Sequence, residues 1–410
     1  MSTGARSVVG RLRGDGRGWA LLAIAVGWLF ILGGRFLVPA VLPQVKATFD
    51  LGNADAGIAI TVLWATYALM QSPAGLLVDR LGERRLLAGS LLLSAGGVAA
   101  LGLAPGFLVF VLASAAFGFV TGLYGPARGT AISRTFPLND GAALGAVLAA
   151  GSVGSAVLPF LAGVLVENLG WRILVGGMLV PYLGAAVFTW WAVPAREVEA
   201  SPDPTPPAEL LGDVGRAVGN RAVLVPVVAA TLMLFAFQGL SSFLLTYLVE
   251  AKGFDQSTAS VLFALLFVGG AVAQAAAGNL SDAFGERIVL VGVAAAGAGA
   301  VGAVPFVDGP LSMAAVVTVA GVRLAVVPVS NAYVISVLPP EVTGTAWGTI
   351  RMGFFLLAAG GSTVVGTLAE MGLFDESFLL LAGLSGIAAG LYAFIPSRDD
   401  ARAGRTGRAG

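Results

Sequence analysis

The sequence contains no cysteine and no histidine, and little charge of either sign. Without cysteine there is no disulfide, no thiolate metal site and no cysteine nucleophile. Without histidine there is no imidazole proton relay and no His-based triad or zinc site, so most enzyme readings lose their usual general base. Charged residues are 11% of the 410-residue chain, against about a quarter in an ordinary soluble domain. Lys+Arg and Asp+Glu stand at 23 each, so the net charge is zero and no nucleic-acid partner is expected. No nucleophile–base pair and no metal-ligand cluster stands out, so neither an enzyme nor a cofactor is expected.

What the chain does have is apolar length: 57% of it is hydrophobic. Roughly 20 apolar residues span the hydrocarbon core of a bilayer. Twelve such runs occur, near 19–43, 56–78, 86–104, 107–130, 142–166, 173–193, 223–249, 258–280, 288–306, 311–336, 344–369 and 377–395. The first follows Arg6, Arg11, Arg13 and Arg17, but it is too long for a signal peptide and no small-residue cleavage site closes it. The runs are continuous rather than alternating, which argues for helices and against a β-barrel. The expected fold is an all-α membrane protein of twelve transmembrane helices, its partner the lipid bilayer. A Pro- and acid-rich stretch at 194–220 reads as a linker with one short helix near Glu209–Val218. It divides the chain into six-helix halves at 1–193 and 221–396, leaving a disordered tail at 397–410. Basic residues set the orientation. One side holds the N-terminal and tail arginines with Arg80, Arg84, Arg85, Arg128, Arg134, Arg196, Arg216, Arg221 and Arg287. The other holds Lys46, Arg172 and Lys252. Both termini are therefore expected in the cytoplasm, with the protein in the plasma membrane.

The halves repeat. After the second run the chain reads Gly75-Leu-Leu-Val-Asp79-Arg80-Leu-Gly82-Glu83-Arg84-Arg85; after the eighth it reads Gly278-Asn-Leu-Ser-Asp282-Ala-Phe-Gly285-Glu286-Arg287. Gln71 matches Gln274, and Gly141, Ala143 and Gly145 match Gly344, Ala346 and Gly348. A repeat of half the chain implies duplicated six-helix units. Gly82 suits a tight turn, and Gly75 is expected to let helix 2 approach a neighbour.

This loop resembles the G-x-x-x-D-R-x-G-R-R signature of the major facilitator superfamily, and Gly170-Trp171-Arg172 before helix 6 is a further likeness. The resemblance implies alternating access and a gating role for Gly75, Asp79, Arg80, Gly82, Arg84, Gly278, Asp282, Gly285 and Arg287. Asp79 would meet the start of helix 11 near Thr343–Gly344, and Asp282 the start of helix 5 near Asn139–Gly141. Helix 1 also resembles organic-anion and sugar-acid symporters of this superfamily, which carry an Asp-Arg pair there; here the pair is Gly34-Arg35. Helix 4 resembles their E-G-x-x-x-P pattern, with Thr121 in place of the acid before Gly122 and Pro126. The cation is kept and both acids are missing, which weakens proton symport. Asp55 and Glu167 are the remaining protonatable candidates at outer helix ends.

Charge at membrane depth is costly and points to function. Every acidic residue falls in a loop or at a helix end, whereas Arg35, Arg323 and Arg351 lie inside runs. At about 1.5 Å per residue, Arg35 is roughly 24 Å along helix 1. Buried cations without buried anions call for an anionic ligand. The resemblance places helices 1, 4, 7 and 10 around a central cavity. Arg35 and Arg323 would then grip a carboxylate or phosphate from the two halves. Arg351, Tyr124, Gln238, Ser241, Ser242, Thr246, Ser330 and Asn331 are the polar candidates nearby. The expected solute is a small organic anion, with a proton or sodium as possible coupling ion. Efflux of hydrophobic or cationic compounds and a non-transporting permease-like sensor are the alternatives.

Overall fold

In a computed structural model the chain is described over residues 17–195, 221–338 and 343–396, with isolated linker positions 212, 215 and 219. The side chains of 343–347 lie outside the described set. So do the arginines before residue 17, most of the expected linker helix and the tail. Among the described residues twelve long helices follow one another. They are α1 Arg17–Ala40 (continued by Leu42–Phe49), α2 Asn53–Leu81, α3 Glu83–Leu103, α4 Phe107–Thr135, α5 Asp140–Leu169 and α6 Trp171–Ala192. Then come α7 Arg221–Glu250, α8 Gln256–Phe284, α9 Glu286–Phe306, α10 Pro310–Val337, α11 Thr343–Glu370 and α12 Phe374–Ala393. Eleven are long and apolar enough to cross a membrane. The exception is α2, whose 29 residues are diluted by Asn53, Asp55, Gln71, Ser72 and Pro73. Among the described residues there is no strand, as the continuous apolar runs require.

The chain forms two compact units, Met1–Phe49 with Val62–Asp203, and Asp50–Thr61 with Pro204–Gly410. Helices in lipid gain little from hydrophobicity against one another, so close backbone approach at small residues holds them together. In the N-terminal unit α1 lies on α5 through Gly33, Gly151 and Gly154; a Cβ on Gly154 would stand 2.2 Å from the carbonyl oxygen of Leu29. In the same unit α4 crosses α2 at Gly118, where a Cβ would stand 2.0 Å from the oxygen of Leu63. The C-terminal unit repeats that crossing 203 positions later: Gly321 of α10 stands in the same relation to Leu266 of α8, also at 2.0 Å. The duplication read in the loop sequences is thus present in helix packing. In this second unit the first turns of α2 dock on α11, Thr61 donating to the oxygen of Ala359 (3.0 Å) and meeting Thr363 (2.7 Å).

Gly82 and Gly285 turn the chain between α2 and α3 and between α8 and α9 with φ of 77° and 82°, a region that favours glycine. Gly75 is a correction. Among the described residues nothing lies within 4 Å of a Cβ built there or on Gly278, so close approach to α2 is made by Gly118 and Gly122. The Gly170-Trp171-Arg172 turn has a structural account. Gly170 takes φ 75°, the Trp171 indole donates to Thr48 Oγ1 (2.8 Å), and Arg172 Nη1 donates to the carbonyls of Ala104 (2.6 Å) and Gly102 (3.3 Å). Arg172 therefore caps the carbonyl end of α3, where a cation also complements the helix dipole. Lys252 serves the end of α9 in the same way, donating to Pro305 O (2.7 Å) and pairing with Asp308 (3.0 Å).

Candidate functional site

Helix α1 carries two glycines, Gly27 and Gly34, one on each side of a cluster of large side chains. A Cβ on Gly27 would fall 2.1 Å from the Tyr124 hydroxyl, and one on Gly34 would fall 2.2 Å from the Tyr182 hydroxyl. The missing side chains admit both tyrosines to the α1 backbone. Tyr124 donates to Ile24 O (2.9 Å) and Tyr182 to Phe30 O (2.6 Å). Gly34 stands where the related symporters carry an acid, and here the Tyr182 hydroxyl fills that volume. Thr121, at the other missing acid, is buried and donates to Gly118 O at 2.8 Å.

Arg35 is 1% exposed. Its Nε donates to Ile31 O, one turn back on its own helix (3.3 Å), while Nη1 and Nη2 have no hydrogen-bond partner among the described residues. Its guanidinium carbon lies 4.0 Å from the Tyr67 ring centre, 5.0 Å from Trp64 and 5.6 Å from Trp28. Aromatic faces offset part of the cost of burying a cation, about 0.5–2 kcal/mol each. They accept no conventional hydrogen bond, so two strong donors remain unsatisfied. Leaving them so costs about 1–3 kcal/mol per group, more when charged. One turn further along α2, Gln71 is buried and its Nε2 has no partner either.

Gln71 and its repeat counterpart do different work. Pro328 in α10 lacks the N–H that would serve the carbonyl of Leu324. Gln274 of α8 supplies the donor instead, Nε2 to Leu324 O at 3.1 Å. In the N-terminal unit that donor stays unspent.

By sequence Arg128 counts only among the basic residues of one membrane side, near the end of the fourth apolar run, and in the structure the helix continues past it. It lies seven residues inside the end of α4, half-buried, with its guanidinium carbon 4.0 Å from the centre of Trp28. Trp28 also stacks on Tyr124, centroids 6.2 Å apart and planes 17° from parallel. Among the described residues of this unit the one buried carboxylate is Glu83, which Arg134 already neutralises at 2.6 Å. Asp79, Asp140 and Glu167 are exposed. The position 203 after Arg134 is Val337, so the pair has no counterpart in the second half.

The C-terminal candidates are spread out. Arg323 sits in a 3-10 turn, Val322–Ala325, that interrupts α10. It is 3% exposed, and its Nη2 donates to Met233 O of α7 (3.1 Å) and Ser385 Oγ of α12 (3.0 Å), leaving Nε and Nη1 without partners. Those bonds do not go to Gln238 or Ser241, both buried on α7, nor to half-buried Asn331. Ser242 bonds Ser362 (2.7 Å), and the hydroxyl of buried Thr246 lacks a partner. Arg351, half-buried on α11, lies 5.5 Å from the Phe355 ring one turn on. In the gating loops Asp79, Arg80, Asp282 and Arg287 are exposed, and Arg84 packs on Trp190 at 4.3 Å. The expected partner of Asp79 near Thr343–Gly344 falls where side chains are not described.

The family model described as Major Facilitator Superfamily matches residues 23–359 and 227–409. The chain belongs to the major facilitator superfamily. It is therefore a multi-pass membrane transporter by family and fold. Among superfamily members it is 25% identical over 391 residues to the "Probable sulfoacetate transporter SauU" of Cupriavidus necator, covering 88% of this chain and 89% of that one. It is 28% identical over 252 residues to the "Drug efflux pump JefA" of Mycobacterium tuberculosis, covering 61% of this chain and 45% of that one. The crystal structure of the nucleoside transporter NupG matches with a TM-score of 0.78 at 16% identity, covering 92% and 99%. That likeness establishes the fold.

Proposed function

We propose that this superfamily member carries a small organic anion across the plasma membrane by alternating access, with Arg35 as the principal anchor. The observation that carries the reading is the Arg35 guanidinium, buried among aromatic rings with Nη1 and Nη2 lacking an acceptor among the described residues. Gln71 adds another unspent donor on the same side of α2. Unspent donors on a buried cation and a neighbouring amide match a ligand that is all acceptor, as an ionised carboxylate or sulfonate is. The likeness to a relative named for sulfoacetate supports the same class.

Arg323 is the C-terminal cation of this account. Its two hydrogen bonds brace the 3-10 turn of α10 against α7 and α12, and its two unpartnered nitrogens keep it a candidate for a second anion contact. Gln238, Ser241, Asn331 and Arg351 are the other polar candidates of the C-terminal unit, and Tyr124 is one of the N-terminal unit. The exposed Asp79, Asp282 and neighbouring arginines serve the gating role that the superfamily signature implies, at the cytoplasmic side that also holds both termini.

The likeness to JefA favours a second reading, efflux of lipophilic compounds. In that case the aromatic cluster would receive the drug. The faces of Tyr67, Trp64 and Trp28 are already covered by guanidinium groups, which would repel a cationic drug.

Thermal unfolding of the purified protein separates the two. A ligand at 100 times its dissociation constant adds about 2.7 kcal/mol to stability. Small carboxylates and sulfonates should raise the melting temperature in a saturable way, and tetraphenylphosphonium should not. The opposite pattern supports efflux and ends the anion reading.

A further inference from the structure

Of the seven tryptophans in the chain, Trp28, Trp64 and Trp171 are buried, and the side chain of Trp347 lies outside the described set. The other three stand together at one end of the N-terminal unit. Trp19, in the first turn of α1, is 54% exposed; Trp190 and Trp191, in the last turn of α6, are 50% and 67% exposed. Helix α6 packs on both α1 and α3, and its two adjacent tryptophans meet different neighbours. Trp191 and Phe188 stack with centroids 6.1 Å apart and meet the Trp19 ring at 6.0 and 6.3 Å. Trp190 instead lies under Arg84 of α3, whose guanidinium carbon is 4.3 Å from its ring centre. Arg84 makes no hydrogen bond or ion pair with a described residue, and its Nε is buried without a partner. The acid next to it, Glu83, is held by Arg134 at 2.6 Å. Exposed Arg85 follows Arg84, and exposed Arg17 precedes Trp19 by two residues.

The second unit shows that the fold does not require this arrangement. At the repeat offset of 203, Trp19, Phe188, Trp190 and Trp191 become Ala222, Leu391, Ala393 and Phe394, while Arg84 becomes the exposed Arg287. The cation recurs and its aromatic frame does not. Tryptophan is favoured where hydrocarbon gives way to headgroups, and basic side chains at that level attract anionic lipid. A guanidinium laid flat on a ring keeps its edge N–H groups for the oxygens of a phosphate, two at a time. We propose that this end of the N-terminal unit binds an anionic phospholipid, its phosphate on Arg84 and its upper acyl chains against the exposed rings of Trp19, Trp190 and Trp191. The site does not depend on the solute reading above.

Tryptophan fluorescence of the purified full-length protein reads this site, because the other described tryptophans are buried. The protein is reconstituted in phosphatidylcholine vesicles holding a minor fraction of phosphatidylglycerol with the same chains. One lipid at a time carries bromine near its glycerol end. Brominated phosphatidylglycerol should quench about two-fold or more above the same fraction of brominated phosphatidylcholine. In Arg84→Gln the two lipids should quench alike, whereas Arg84→Lys, which keeps the charge without the fork, should retain part of the excess. Equal quenching in the unaltered protein marks an unselective lipid shell and overturns the proposal. An excess that survives Arg84→Gln places the anionic lipid elsewhere and overturns it as well. Loss of the excess on adding inorganic phosphate at matched ionic strength assigns Arg84 to a soluble anion and ends the lipid reading. The first comparison needs no variant, so misfolding of Arg84→Gln leaves a test standing.

Discussion

Arg35→Met is expected to reduce uptake of a labelled small anion by about 100-fold or more while leaving the purified protein as stable as before, or more stable. The loss follows from removing two charge-assisted hydrogen bonds to the ligand, each contributing about 1.5–3 kcal/mol. A factor of ten corresponds to about 1.4 kcal/mol. The stability result follows from the state of the residue in the ligand-free structure. Arg35 spends one nitrogen on Ile31 O and buries the other two without partners. A buried cation without an ion pair carries several kcal/mol of desolvation cost, and replacing such groups with apolar residues of similar volume is commonly neutral or stabilising. Methionine keeps the length and can lie against Trp64 and Tyr67. A residue held only for packing gives the reverse result, with stability lost and uptake retained in whatever protein folds. Melting temperature and proteoliposome uptake, measured on the same preparation, check both halves of the prediction.

The second large effect concerns assembly. Gly118→Ala and Gly321→Ala should each prevent recovery of monodisperse protein, because in both the new Cβ would stand 2.0 Å from a backbone oxygen of the crossing helix. Overpacking a core ordinarily costs about 1–3 kcal/mol. Here the obstacle is backbone rather than a side chain able to rotate away, so the cost should exceed about 3 kcal/mol. The paired controls are Gly89→Ala and Gly292→Ala, also 203 positions apart, where nothing described lies within 4 Å. Those should be tolerated or gain up to about 1 kcal/mol from better helix propensity. Size-exclusion profiles in detergent distinguish the outcomes. Normal profiles for both crossing variants would show that the α2–α4 and α8–α10 contacts are looser than described.

Much of this architecture was legible in the chain. Apolar length dictates helices in a bilayer, and the doubled Gly-x-x-x-Asp loop announced a duplication that now appears in the Gly118 and Gly321 crossings. Gly82 is readable as a turn because positive φ is a local demand, and its repeat partner Gly285 turns in the same way. The site was less legible, for reasons that can be named. The last turns of α4, from Tyr124 to Thr135, are polar and include Gly125, Pro126 and Gly129. Arg128 therefore counts by sequence among the basic residues at a membrane face, although the helix continues past it. Gly75 looked like a packing glycine, but whether a neighbour stands opposite depends on another helix, about which the local sequence says nothing. Gln71 and Gln274 are identical in sequence and differ in role because Pro328 frees the Leu324 carbonyl on one side only of the repeat. The depth of Arg35 was correctly read as a burial problem, but its aromatic surroundings come from α2 and could not be seen from α1. Arg323 was equally readable as buried, whereas its bonds to Met233 and Ser385 depend on how α10 turns at Val322–Ala325.

The most direct test of the central claim is counterflow in proteoliposomes loaded with a millimolar unlabelled small carboxylate or sulfonate and diluted into trace label of the same compound. The account predicts transient, saturable accumulation of label that is absent in Arg35→Met vesicles. Label that never accumulates above the protein-free control, or accumulation that Arg35→Met leaves intact, would contradict it.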